Sequence, residues 1–153
     1  MNINEKVVKK WAEKMKTTFG FTKDTIEVAY IWNPGGFVNQ SYFLTDGEVK
    51  RHVKFAKADH EPELKKWAKV CDYLTTYYHA PKLIREVEEE VIPGYFYGLV
   101  AEYFEGEPLN VDQRANLTPI LKKVSQLHQD EYLGSLLKGM EEQLMLMRSS
   151  IRT

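Results

Sequence analysis

Between Ser41 and Ala56 the chain reads SYFLTDGEVKRHVKFA, two strand-like runs on either side of Asp46-Gly47. Successive side chains of a strand point to opposite faces, and Asp-Gly tolerates the backbone of a tight antiparallel reversal. This stretch constrains the fold more than any other, because it predicts a hairpin. Upstream, TIEVAYIW (Thr25 to Trp32) is rich in β-branched and aromatic residues and predicts a preceding strand. The loop NPGGFVNQ joins it to the hairpin. Downstream, KLIREVEEE and YFYGLVAEYF predict two more strands joined through Ile92-Pro93-Gly94.

The remaining sequence has helical period. Val8, Trp11, Met15 and Phe19 share one face of a helix over Glu5 to Phe19, with Asn2 or Asn4 as its cap and Gly20 at its end. Leu64, Trp67, Cys71, Leu74 and Tyr78 form the stripe of a second helix over Asp59 to Tyr78, with Pro62 in its first turn and Ala80-Pro81 as its stop. After Gly106 two further stripes follow: Leu117, Ile120, Leu121, Val124 and Leu127, then Leu133, Leu137, Met140, Leu144 and Met147. The fold class is therefore α+β: a five-stranded, mainly antiparallel sheet with a crossing helix, followed by C-terminal helices. Residues 1–105 make the sheet-bearing lobe and residues 106–153 the helical part. The two meet near Glu105-Gly106, where a crevice is expected.

Composition narrows the function classes. The 153 residues carry 21 basic and 22 acidic side chains interspersed with one another, which argues against nucleic acid as a partner. The single cysteine, Cys71, lies on an apolar helix face and reads as a small buried hydrophobe. The N-terminal stretch has no apolar segment of signal-peptide type, and no window approaches the roughly 18 apolar residues that span a bilayer. A cytoplasmic protein with no membrane partner is the expectation.

Four places could carry chemistry. Gly35 and Gly36 let backbone N–H groups approach an anion closely, although the loop joins two strands and is neither a Walker A loop nor a Rossmann fingerprint. Lys54 ends the third strand on one face with His52 and Lys50. A strand lysine beside a glycine loop can reach phosphate oxygens once a carboxylate orients it, and the next helix opens with Glu61 and Glu63. The fourth place, His128-Gln129-Asp130, has the form of a catalytic HxD. Ser135 stands five residues beyond it where an asparagine would be needed, and Asp130 reads as the turn after a helix.

Taken in order, GGFVNQSY, HVKFA, APKLI, LVAEYFEGEPL and LKKVSQLH resemble the N-terminal lobe of the aminoglycoside phosphotransferase and choline kinase superfamily, a protein-kinase-like fold. The resemblance covers about Ile26 to His128. It implies that Gly35, Gly36, Asn39 and Ser41 line the phosphates of ATP, and that Lys54, oriented by Glu63, holds the α- and β-phosphates. It also implies a hinge at Ala101, Glu102 and Phe104, where the Glu102 carbonyl and the Phe104 N–H bond the adenine edge. His52 departs from the pattern, since a small or apolar residue usually stands there over the base.

In that superfamily the catalytic Asp and the Mg²⁺-binding Asn and Asp come from later segments, which do not occur before Thr153. The expectation is thus a nucleotide-binding lobe that does not catalyse phosphoryl transfer alone, with the acceptor small molecule unidentified. The helical stripes after Gly106 would then be left to self-association. Two alternatives stay open: a non-catalytic binding or interaction module built on a kinase-like lobe, and an unrelated α+β domain whose glycines only make turns.

Overall fold

The computed structural model, which describes residues 1–32, 38–106 and 117–139, begins with helix α1 (Ile3–Lys14). Asn2 is its cap: the Asn2 side chain accepts the Glu5 N–H at 2.8 Å, and the Glu5 carboxylate accepts the Asn2 N–H at 2.6 Å. This reciprocal pair satisfies two donors that a helix start leaves without partners. Asn4 serves elsewhere and donates to the Gln40 side chain at 3.2 Å. The helix does not run unbroken to Phe19. It tightens at Met15, whose N–H is shared between the Trp11 and Ala12 carbonyls, and restarts as the one-turn α2 (Lys16–Phe19). Gly20 closes that turn at φ 75°, and the Arg51 guanidinium takes the Phe19 carbonyl at 2.8 Å. A cation on the last carbonyls is the favourable end for a helix.

Five strands follow: β1 (Glu27–Ile31), β2 (Asn39–Thr45), β3 (Lys50–Ala56), β4 (Leu83–Val87) and β5 (Tyr97–Glu102). Their order in the sheet is β1-β2-β3-β5-β4, and every neighbouring pair is antiparallel. The expected hairpin is β2-β3, with Gly47 at φ 94°. Its turn spans Asp46 to Val49, and the Asp46 carboxylate organises it by accepting the backbone N–H groups of Thr22, Lys23, Glu48 and Val49. Four donors on one carboxylate hold its pKa far below the ordinary value, the Val49 N–H contributing most. β4 is shorter than the sequence pattern suggested. It stops at Val87, because three consecutive glutamates are poor strand formers, and Gly94 (φ 83°) turns the chain back through an Ile92–Tyr95 bridge.

The main core lies on one face of the sheet. Tyr42, Leu44, Val53, Phe55 and Val100 meet Val8, Ala12 and Phe19 there, all of them fully buried. Trp11 packs its ring edge-on to Phe55 at 5.7 Å and tilted against Phe19 at 5.0 Å. Gly98 on β5 has no side chain because the Phe55 ring occupies the space: a Cβ there would sit 2.7 Å from Phe55 Cδ1. On the other face helix α3 (Glu61–Tyr78) crosses the sheet and packs Leu64 against Ala56, Tyr97 and Leu99.

The described chain divides into two compact units, Met1–Asp72 with Pro81–Phe104, and Tyr73–Ala80 with the residues from Glu105 onward. The last turns of α3 therefore belong to the second unit, although the sequence pattern assigned the whole helix to the first. Within the second unit, α3 closes with His79 at φ 57° and an Ala80 N–H to Leu74 carbonyl bond of 3.2 Å. A left-handed residue followed by a backbone bond back to the last turn ends the helix and satisfies one of its terminal carbonyls. Helix α4 (Leu117–His128) follows, and residues 131–139 are again helical. The apolar row of α4 is exposed, Leu121 by 63%. Met140, Leu144 and Met147 of the second expected stripe lie outside the described residues. No described helix is long and apolar enough to cross a membrane.

Candidate functional site

The sheet face opposite the main core alternates Ser41 on β2, His52 and Lys54 on β3, and Leu99 and Ala101 on β5. The register pairs Ser41 with Lys54, Lys54 with Leu99, and His52 with Ala101. These residues adjoin in space because side chains two apart on a strand share a face. Here the first unit holds a cavity of about 600 Å³, within the range of small-molecule sites. Helix α3 forms one wall, Pro81 and Leu83 another, and the chain from Ala101 to Phe104 the rim.

Five residues singled out from the sequence line this one cavity: Ser41, Lys54, Ala101, Glu102 and Phe104. They come from three strands and 64 positions of chain (41 to 104), brought together by the antiparallel register. Asn39 stands on the same face, opposite Ala56, but does not line the cavity, and its buried side-chain oxygen has no hydrogen-bond partner among the described residues. Gly35 and Gly36 lie outside the described residues.

Glu63 is not brought to Lys54. It is exposed and absent from the cavity wall, and among the described residues no carboxylate forms an ion pair with Lys54. The reason is helical phase. The row facing the sheet is Leu64, Trp67 and Cys71, and Glu63, one residue before Leu64, is rotated about 100° away from it. Glu61 is occupied elsewhere, with its carboxylate 3.3 Å from Lys65 Nζ.

His52 lines the cavity beside Lys54. Burial pushes its pKa below the ordinary histidine value, and the neighbouring Lys54 charge pushes it further the same way. The imidazole is therefore neutral at pH 7, and its buried Nε2 has no hydrogen-bond partner. Glu102, at the rim, accepts the Lys82 N–H with its carboxylate at 3.2 Å, and its own N–H goes to the Lys82 carbonyl at 2.9 Å. Tyr103 turns its ring edge to Phe43, 4.6 Å between centroids. Cys71 is buried and donates its thiol to the Pro81 carbonyl at 3.4 Å, which makes it wall material.

Sequence reasoning gave Phe104 only a backbone role and did not name Trp32 or Trp67 as site residues. All three line the cavity, and Trp32, Trp67 and Phe104 are 69%, 51% and 70% exposed. Trp67 was visible as a member of the α3 stripe, but the stripe alone gives no sign that it faces a void. Among the described residues there is no group of three or more His, Cys, Asp or Glu that could hold a metal ion.

In the second unit, Asp130 is a structural residue. Its carboxylate accepts the Leu133 N–H at 2.9 Å, capping the helical residues 131–139, and also accepts the hydroxyls of Tyr73 at 2.9 Å and Tyr78 at 2.5 Å. These donors lower its pKa, the Leu133 N–H first, and the hydrogen bond to the Asp130 carboxylate pushes the Tyr78 hydroxyl up to about 12. Tyr73 also stacks at a tilt against Tyr132, 5.0 Å between centroids.

Set against protein-family models, curated proteins and solved structures, the chain matches none of them.

Proposed function

We propose that the first unit is a nucleotide-binding lobe similar to that of the aminoglycoside phosphotransferase and choline kinase superfamily. One observation carries the reading: Ser41, Lys54 and the chain from Ala101 to Phe104 converge on a single cavity of about 600 Å³. An ammonium group inside a largely apolar hollow favours an anion attached to a flat apolar body, which describes a nucleotide. In this reading Lys54 holds phosphate oxygens, Ser41 adds a hydroxyl, and the backbone of Glu102 and Phe104 meets the base edge. ATP is the ligand, with Mg²⁺ accompanying it in the complete architecture, and the cytoplasm is where the lobe would meet it. The chain alone does not turn over ATP. Its exposed α4 row supports pairing with a second copy of the chain.

A specific observation favours a second reading, a binding module without catalysis. Kinase chemistry uses a lysine–glutamate pair, whereas the α3 row facing this cavity is Leu64, Trp67 and Cys71. The first reading requires the nucleotide and the second does not.

Isothermal titration with ATP, with and without Mg²⁺, separates them, and binding by neither wild type nor Lys54→Ala supports the second. The wild-type protein is expected to bind, and Lys54→Ala to bind at least about tenfold more weakly, because a charge-assisted hydrogen bond contributes roughly 1.5–3 kcal/mol. Equal binding by both proteins refutes the role given to Lys54. A coupled kinase assay with aminoglycosides or choline is expected to show no turnover by this chain, and Mg²⁺-dependent turnover would overturn that expectation.

A further inference from the structure

Helix α3 presents three residues to the cavity, and the middle one is anomalous. Leu64 and Cys71 are 4% and 5% exposed, yet Trp67 between them on the same row is 51% exposed. Tryptophan has the largest apolar surface to lose to water and is rarely left open on the inward row of a helix. Its level along the sheet is set by its neighbours. Leu64, one turn earlier, packs on Ala56 and Tyr97, and Cys71, one turn later, bonds the Pro81 carbonyl just before β4. Trp67 lies between them on that row and lines the same cavity as Lys54, Leu99 and Ala101.

Resting on the nucleotide reading above, we infer that Trp67 is the ligand-contacting residue of α3, and that its indole stacks on the base of the bound nucleotide. The half-open indole, the ammonium and the hydroxyl of Ser41 divide the ligand between them. The ring system takes the flat base, and Lys54 with Ser41 takes the phosphates. Trp32 and Phe104, the other open aromatic residues of the wall, extend the same apolar enclosure. Because Trp67 touches only the base, its contribution is absent for a ligand that has phosphates alone.

The test compares ATP with inorganic tripolyphosphate by calorimetry on wild type, Trp67→Ala, Trp67→Phe and Lys54→Ala. Trp67→Ala is expected to weaken ATP about tenfold or more, the usual loss of one base–aromatic stack, and to leave tripolyphosphate unchanged. Lys54→Ala weakens both ligands. The chain has three tryptophans, Trp11, Trp32 and Trp67, so the emission quenched by ATP in wild type and not in Trp67→Phe isolates the indole in question. Trp67→Phe keeps a ring and retains most of the affinity, which guards against a misfolded alanine variant. If Trp67→Ala binds ATP like wild type, or if it weakens ATP and tripolyphosphate equally, the stacking role is overturned and the Lys54 reading stands. If wild type binds neither ligand, both fall together.

Discussion

Gly98→Ala tests whether the two faces of the sheet are built as described. In wild type, an added Cβ would lie 2.7 Å from Phe55 Cδ1 and 2.9 Å from the Lys54 carbonyl oxygen. Carbon atoms settle at about 3.5–4.0 Å, so ring and backbone must each retreat by up to roughly 1 Å. Neither has free space. Phe55 is fully buried between Trp11 and Tyr42, and Gly98 is paired on both sides, with Phe55 of β3 and Val87 of β4. Overpacking of this kind costs about 1–3 kcal/mol. The loss of backbone freedom in the unfolded chain offsets about 0.4–1 kcal/mol of that, and the backbone contact puts the net cost at about 2 kcal/mol. For a chain of this size that lowers the melting temperature by about 4–8 °C and the urea midpoint by roughly 1 M. Gly98→Val costs more, since two further carbons enter the same space. A melting temperature for Gly98→Ala within 1 °C of wild type, or above it (roughly the effect of a neutral substitution), refutes the packing of Phe55 against β5.

Four further outcomes follow from the site and its surroundings. The Asp46 carboxyl has a folded pKa far below its unfolded value of 3.8, so its contribution to stability is complete above about pH 5 and is lost as pH falls through 4 and below. Asp46→Asn should abolish that part of the acid dependence in urea midpoints measured from pH 7 to pH 3. The His52 folded pKa lies below its unfolded value of 6.5, so the folded state is favoured above pH 6.5 and penalised as pH falls toward the folded value. His52→Leu, which also removes an unpartnered buried nitrogen, should flatten the stability profile between pH 7 and pH 5. Asp130→Ala should reduce protection from hydrogen exchange in residues 131–139 without affecting ATP binding. Self-association through α4 predicts a concentration-dependent mass in chromatography with light scattering, reduced by Leu121→Glu.

Much of this was legible in the sequence, and the failures are physical. Asp46-Gly47 set the β2-β3 hairpin because the backbone preference is local. Ser41, Lys54 and the segment from Ala101 to Phe104 line one cavity, a proximity legible from strand alternation and pairing order on a sheet. The break at Met15 was not legible, since the apolar row Val8, Trp11, Met15 and Phe19 continues across it without interruption. Nor was the second-unit role of Tyr73 and Tyr78, which depends on Asp130 arriving from the far side of α4. The Glu63 expectation failed differently. The row Leu64, Trp67, Cys71 already fixed the phase of α3, and Glu63 sits off that row by one residue. The resemblance supplied a carboxylate where the helical period supplies an indole.

The most direct test of the central claim is an amide NMR titration with ATP. The account predicts shifts confined to Ser41, His52, Lys54 and the Ala101–Phe104 segment, with the indole signal of Trp67 moving alongside them, while Val8, Ala12 and Phe19 on the opposite face stay still. Shifts centred on the α1 face, or none at millimolar ATP, would contradict it.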